Sequence, residues 1–337
     1  MNETVSLIIP AYNAAGTIRE CLESVFSSDL KRCEVILVDD CSKDKTAEIA
    51  KEFPCRVLRN KKNSGAAAAR NLGAKKASGK ILLFVDSDET VQKDLLRRTL
   101  KVFQDYPQVS AFVGTFSKKH RHASFISQYK NLHFYYYATK VPFYTRVLNG
   151  AIAAVKKDAF WAVNGFDCGK KTIAEDADFG MRLSKAGFLI CQRKDIEVEH
   201  LKLLSFKSFV KNDFERGSAI TKSLFTLVWG RQQKRQGKGK AFSLSDFLEL
   251  YLSIPLPLMI LVLIAFGFAA KWLFFVAAAL LLAFVFLNRG FWVFLAKEKG
   301  IYFALFSAIV TFFEMVVIFS GILTGFASAL KEEMLSK

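Results

Sequence analysis

Ile81-Leu-Leu-Phe84-Val-Asp86-Ser-Asp88-Glu89 is an apolar run that stops abruptly on a cluster of acids. A short continuous run of Ile, Leu, Phe and Val reads as a strand buried on both faces. On extended backbone, residues i and i+2 point the same way, so Asp86 and Asp88 face one site. Two carboxylates held close resist joint ionisation unless a cation lies between them. A hard divalent ion bound by one or two carboxylates plus substrate phosphates meets that demand. A pair of solvated turn aspartates is the plainer alternative for the motif taken alone.

The same pattern recurs upstream. Apolar runs at 5–10, 34–38, 56–58, 81–85 and 109–116 alternate with helical patterns at 17–27, 45–53, 66–77 and 93–106. This alternation predicts an α/β fold with a doubly wound parallel sheet and ligands at the carboxyl ends of its strands. The first run ends in Pro10-Ala11-Tyr12-Asn13, and the second in Asp39-Asp40-Cys-Ser42-Lys-Asp44. Their ends are expected to share one rim with Asp86 and Asp88. Helix capping accounts for Ser42 or Asp44 but not for Asp39 and Asp40 as well.

Asn63-Ser-Gly65-Ala-Ala-Ala-Ala-Arg70-Asn71-Leu-Gly73 opens a helix with small residues. Gly65 allows close ligand approach, and Arg70 suits a phosphate or an acid; tight helix–sheet packing explains the alanines equally well. No GxGxxG follows the first strand and no GxxxxGK[ST] is present, which removes the main support for dinucleotide and P-loop readings. Downstream, Gly165-Phe-Asp167 precedes Glu175-Asp176-Ala-Asp178 at the start of a helix. There the dipole stabilises carboxylates. Asp176 reads as a general base for an acceptor hydroxyl, with simple helix capping as the alternative. His200 ends a short strand and reads as a metal ligand, a diphosphate contact or a structural residue.

Composition bounds the rest. The 337 residues carry a formal charge of +17 and are 52% hydrophobic. The apolar excess lies after Leu248, and the densest basic run, Arg231 to Lys240, stands immediately before it. That placement points to anionic lipid rather than nucleic acid. The six cysteines occur singly, without zinc-ligand spacing, as in a reducing compartment. The charged opening Met-Asn-Glu predicts no signal peptide, so the soluble domain is expected in the cytosol. Apolar stretches at 251–270, 272–287 and 301–330 predict three membrane spans. By the positive-inside rule these place the C-terminus outside. Glu314 falls within the third, where an acid is costly and points to a role. The basic, aromatic segment 117–142 reads either as a packing helix or as one lying at the lipid surface.

Taken together, residues 5–200 resemble the inverting GT-A glycosyltransferases of family 2. The resemblance implies a cytosolic GT-A domain at 1–204, an amphipathic helix and basic linker at 205–247, and a membrane region at 248–330. It implies that Pro10, Ala11, Tyr12, Asn13, Asp39 and Asp40 cradle the nucleoside, with Asp40 at the base edge. It further implies Asp86 near the ribose, Asp88 on Mg2+ or Mn2+, and Asp176 as catalytic base. Asp86 and His200 are further candidate metal ligands, and Gly65, Arg70, Glu175 and Arg216 further candidates for nucleotide-sugar contact. The implied partners are a nucleotide-sugar, UDP-sugar by default, a lipid-linked or other glycan acceptor, and membrane lipids. The QxxRW motif of processive synthases is not matched, because Gln232-Gln-Lys-Arg235-Gln236 lacks the tryptophan. One or a few transfers are therefore expected. A polyprenyl-phosphate glycosyltransferase, a non-catalytic nucleotide-binding membrane protein and a transporter are the competing readings.

Overall fold

The computed structural model describes residues 4–29, 33–146, 148, 152–168, 175–229 and 252–335. The basic run at 231–240 and the Gln232–Gln236 segment lie outside them. Residues up to Leu203 form one compact unit, and those from Leu204 onward a second.

In the first unit the apolar runs become strands: β1 Val5–Ala11, β2 Cys33–Asp39, β3 Arg56–Arg59, β4 Ile81–Val85 and β6 Val109–Phe116. Three short strands, β5 Glu89–Val91, β7 Tyr144–Thr145 and β8 Ile152–Lys156, join them, with the long β9 Leu189–His200. All pair in one sheet of order β3-β2-β1-β4-β8-β6-β9-β5, with β7 on β9. The half β3-β2-β1-β4 is parallel, as the alternation predicts. The other half is mixed, because β8 enters antiparallel between β4 and β6. Two antiparallel steps restore the direction, so β6 and β9 run with β1, β2 and β4. Among the described residues six carboxyl ends therefore open on a single rim.

Both faces of the sheet are covered, and side chains alternate between the covers as strand geometry requires. Leu7, Ile9, Leu37 and Leu83 pack under α1 (Ile18–Phe26) and α4 (Leu95–Asp105). Ile8, Val38, Leu82 and Phe84 pack under α3 (Ala66–Lys76), α6 (Lys157–Ala162) and α7 (Glu175–Lys185). A Cβ on Gly73 of α3 would stand 2.5 Å from Ile8 Cγ2, so the small residues of this helix do serve close packing on β1. The short helix α2 is Thr46–Ala50. Helix α5 (Phe125–Lys140) is buried in an unbroken run over 127–133, which makes the aromatic segment a packed helix.

The second unit contains α8 (Phe206–Trp229), α9 (Leu256–Gly267), α10 (Trp272–Lys299) and α11 (Ile301–Leu335). Two of these, α10 and α11, are long and apolar enough to cross a membrane. The expected first span is not among them. The chain bends at Ile254-Pro255, and only the 12 residues of α9 are helical beyond it. At ~1.5 Å per residue they reach about 18 Å, short of a ~30 Å hydrocarbon core. Proline cannot continue a preceding helix without losing a hydrogen bond, and Pro255 and Pro257 stand at this break. Among the described residues two helices, rather than the three spans expected, are therefore long and apolar enough to cross.

Helices α8 and α11 approach closely. A Cβ on Gly217 would stand 2.2 Å from the Ile318 carbonyl oxygen, and one on Gly321 2.1 Å from that of Phe214. Small residues at such a crossing are what let two backbones meet. Ser307, Thr311 and Glu314 form a buried polar stripe on α11, where Trp292 Nε1 of α10 donates to Thr311 Oγ1 at 3.2 Å. Gly321→Val is expected to lower the stability of the detergent-solubilised protein by about 1–3 kcal/mol through overpacking. A thermal melt against Gly321→Ala and wild type measures the graded loss.

Candidate active site

The loops after β1 and β2 brace each other. The Ala11 carbonyl accepts the Asp40 N–H at 2.8 Å. Asn13, in the left-handed region at φ 49°, accepts the Lys43 N–H on Oδ1 and donates its own N–H to Ser42 Oγ, both at 2.9 Å. Ala14 N–H reaches Thr46 Oγ1 and Ala15 N–H reaches Asp44 Oδ2. Ser42 and Asp44 are thus cross-braces between loops. Tyr12 stands on the outside of this brace, 45% exposed.

Both acids after β2 are engaged internally. Asp39 is fully buried, accepts the Ser42 N–H at 3.0 Å and has Arg59 Nε at 3.1 Å. Asp40 Oδ1 accepts from Asn60 Nδ2 and Ser64 N–H, and its Oδ2 from Ser64 N–H and Gly65 N–H, at 2.6–3.0 Å. A carboxylate offers about four lone-pair sites, so a nucleobase reaches Asp40 only by displacing one of these donors. Asp40 therefore occupies the N-terminus of α3, where a phosphate could otherwise bind.

Arg70 ties the cleft together. Its Nη2 lies 2.7 Å from Asp86 Oδ1 and its Nη1 3.0 Å from Glu175 Oε1. Burial opposes the guanidinium charge, but Asp86 and Glu175 outweigh it and raise the Arg70 pKa. Its Cζ stands 5.5 Å from the Phe166 ring centroid. Phe166 is fixed in turn by Asn71, whose Nδ2 donates to its carbonyl at 2.8 Å and whose Oδ1 accepts its N–H at 2.9 Å. The preceding Gly165 takes φ +64°, and a Cβ there would meet Asn71 Oδ1 at 2.6 Å. Arg70, Phe84, Asp86, Phe166, Asp176 and Phe179 line one cleft. Asp176 sits in the first turn of α7 with Glu175 and Asp178.

Burial, only partly countered by Arg70, raises the Asp86 carboxyl. Beneath it lies Glu89, 1% exposed, whose Oε2 accepts the Asp86 N–H at 3.1 Å. Burial, with Asp86 and Asp88 nearby, pushes the Glu89 carboxyl well up. Asp88 is more open than Glu89: its carboxylate faces His200 Nε2 at 3.7 Å, and its carbonyl accepts the Leu201 N–H at 2.7 Å. Among the described residues no three His, Cys, Asp or Glu side chains converge as a ready metal cage. The donor set still fits Mg2+ or Mn2+, which need one or two carboxylates and complete their shells with substrate phosphates and water. Both carboxylates are partly exposed; Asp86 is shared with Arg70, and Asp88 faces His200. Arg216 lies on α8 of the second unit, with Nη1 3.1 Å from Asp213 Oδ1.

The family description "Glycosyl transferase family 2" matches residues 6–163. The chain carries a family 2 glycosyltransferase domain. An uncharacterized glycosyltransferase of Haemophilus influenzae is 29% identical over 53% of this chain and 61% of its own length. The putative teichuronic acid biosynthesis glycosyltransferase TuaG of Bacillus subtilis is 36% identical over 33% of this chain and 46% of its own. The chain thus spans less than two thirds of either relative. Among solved structures, mannosyltransferase PcManGT of Pyrobaculum calidifontis, in complex with GDP-Man and Mn2+, shares 19% identity at a TM-score of 0.63. That likeness covers 96% of this chain and 87% of that one, and is a likeness of fold.

The family 2 match covers the Asp39-Asp40 and Asp86-Asp88 motifs but stops short of Asp176 and His200. Sequence reasoning assigned no role to Glu89, Asn71 or the histidines after β6. His120-Arg-His122 directly behind a strand's carboxyl end was the available signal. Asp40→Ala strands the Ser64 and Gly65 amides and is expected to destabilise the unit by about 2–3 kcal/mol, read by thermal melt. Glu89→Gln tests the buried carboxyl. The folded Glu89 holds its proton more tightly than the unfolded chain does, so its contribution to stability falls as pH rises. The stability of the Gln variant relative to wild type is expected to grow as pH rises above the ordinary carboxylate range.

Proposed function

We propose that the chain is an inverting transferase that moves a sugar from a nucleotide-sugar to a hydroxyl of a membrane-associated, lipid-linked or other glycan acceptor. The observation that carries this reading is the shared cleft in which Asp176 faces Asp86 across Arg70 on the carboxyl-end rim. The nucleoside would rest on the Pro10–Asn13 turn with Tyr12 against the base. Asp39 and Asp40 hold the loops that shape this seat. Asp176 accepts the acceptor's hydroxyl proton as the oxygen bonds to the anomeric carbon. The bond from that carbon to the diphosphate oxygen breaks in the same displacement, so configuration inverts. Arg70 and Glu175 keep the α7 start in register with β4, a positional demand in which errors of about 1 Å are costly. Asp88, with Asp86 beside it, would hold Mg2+ or Mn2+ against the donor's phosphates, and the ion would supply neutralisation of the departing charge.

Residues 1–204 are taken as the catalytic domain, 205–247 as a tether and 248–330 as the membrane region, with the domain in the cytosol. In support, α10 and α11 present large apolar side chains outward: Phe275 is 79%, Tyr302 86% and Ile309 66% exposed. Such surface suits lipid and would aggregate in water. A biosynthetic role in cell-surface glycans accords with the TuaG relationship.

Purified membranes incubated with UDP-, GDP- and dTDP-sugars and a lipid extract, followed by mass spectrometry, test the reading. Asp176→Asn is expected to lower kcat by about 10²–10⁴ with little change in donor KM. Asp88→Ala is expected to abolish the stimulation by Mg2+ or Mn2+. Undiminished turnover in both variants would overturn the assignment.

A further inference from the structure

One charge in the second unit stands where apolar side chains surround it. Over residues 272–296 of α10, Arg289 is the only charged side chain. That helix is long and apolar enough to cross a membrane, and so is α11, which follows it after Gly300.

Packing fixes the side on which Arg289 lies. Phe284, Asn288, Phe291 and Leu295 are buried and share one stripe at helical spacing. Along that stripe Asn288 Nδ2 donates to the Phe284 carbonyl at 2.9 Å, and Trp292 Nε1 donates across to Thr311 of α11. Arg289 lies on the other face, exposed with Val285, Phe286 and Val293. Its Nη1 donates to the Phe286 carbonyl at 2.5 Å, and its Cζ stands 3.6 Å from the Phe286 ring centroid. Among the described residues no carboxylate forms an ion pair with it. An arginine carries five N–H donors, so most of them remain for a partner outside the helix.

The ends of the apolar stretch bound the depth of this charge. Lys271 precedes the stretch and Lys297 closes it, and neither is stable in hydrocarbon. At about 1.5 Å per residue the stretch measures about 37 Å, against a hydrocarbon core of about 30 Å. Wherever the core falls within that length, Arg289 lies about 3–11 Å beneath its face on the Lys297–Lys299 side. Exposed Trp272 and Tyr302 stand at the two ends, where aromatic residues settle at headgroup level. A guanidinium at such a depth is costly unless paired, and its long stem lets it reach towards the headgroups.

We propose that Arg289 binds the phosphate of an anionic phospholipid in the leaflet beside the Lys297–Lys299 turn. This rests on the reading of α10 and α11 as membrane helices and adds a ligand site to it. The guanidinium fork matches phosphate oxygens in pairs, and Lys297 and Lys299 draw anionic lipid to the same side. A second copy of the chain offers no matching acid at that depth. Between 272 and 331 the acids are Glu298, at the turn, and Glu314, which is fully buried. The phosphate of a polyprenyl acceptor shares the chemistry, but Arg289 stands on the outward face that annular lipid covers.

The test uses the full chain in neutral detergent micelles. Wild type is compared with Arg289→Leu, Arg289→Lys and a double variant, Lys297→Ala with Lys299→Ala, each checked by thermal melt. Arg289→Gln replaces the leucine variant should that one fail to fold. Native mass spectrometry titrates bound phosphatidylglycerol, with diacylglycerol of the same chains as the phosphate-free reference. Arg289→Leu is expected to bind phosphatidylglycerol roughly tenfold more weakly, with diacylglycerol binding unchanged. Arg289→Lys, which keeps the charge, is expected to recover part of the loss, and the turn variant to lose less than Arg289→Leu. Equal phosphatidylglycerol affinity in wild type and Arg289→Leu would overturn the proposal. A larger loss in the turn variant would give the lipid to the turn lysines and overturn it too. A loss confined to polyprenyl phosphate would make Arg289 an acceptor contact, and dissociation of a dimer in Arg289→Leu a contact between copies; either result overturns it. Release of the wild type from membranes by alkaline carbonate would instead sink the membrane reading itself.

Discussion

A single buried guanidinium holds the cleft in its working shape. Arg70 comes from a helix packed on β1, yet its two nitrogens reach a carboxylate at the end of β4 and another at the start of α7. Without it, Asp86, Glu175 and Asp176 would face one another in a partly dry space and repel. With it, two elements far apart in sequence are locked together, and the repulsion becomes a fork of charge-assisted hydrogen bonds. Breaking such a pair costs more than forming it gains, because the abandoned charge stays buried. Packing of Phe166 and Phe84 around the guanidinium keeps water from relaxing that constraint.

The rest of the rim follows a complementary logic. Where Arg70 handles charge with charge, the loops after β1, β2 and β6 are set by hydrogen bonds to backbone. Asp40 receives the free amides at the head of α3, Asn71 mimics a strand edge for Phe166, and Gln128 fixes the loop that carries two imidazoles. Each side chain satisfies donors or acceptors that burial would otherwise leave unpaired. Acids are therefore present in two capacities. Those at the strand ends in β2 shape loops, and those at β4 and α7 are left facing the cleft.

The second unit is organised by proximity rather than by charge. Gly217 and Gly321 bring α8 and α11 to backbone contact, and the polar stripe through Ser307, Thr311 and Glu314 is turned inward. Apolar side chains are left to face outward, the inverse of the first unit's surface.

Much of the first unit was legible from the chain because its determinants are local. Apolar runs of strand length, helical periodicities between them, and acids placed at strand ends specify a layered α/β sheet with a polar rim, and the parallel half formed as expected. The insertion of β8 against the direction of its neighbours was not legible, since Ile152–Lys156 has no pattern distinguishing parallel from antiparallel pairing. Nor was the break at Pro255 given its weight, because a hydropathy window averages over a proline that the helix itself cannot accommodate. The identities of the chemically apt residues could be named from sequence: Arg70, Asp86, Asp88, Asp176 and His200. Which of them share a cleft and which are consumed as braces depend on partners 16 to more than 100 positions away. Such contacts come into being only when distant segments pack, so tertiary structure alone decided them.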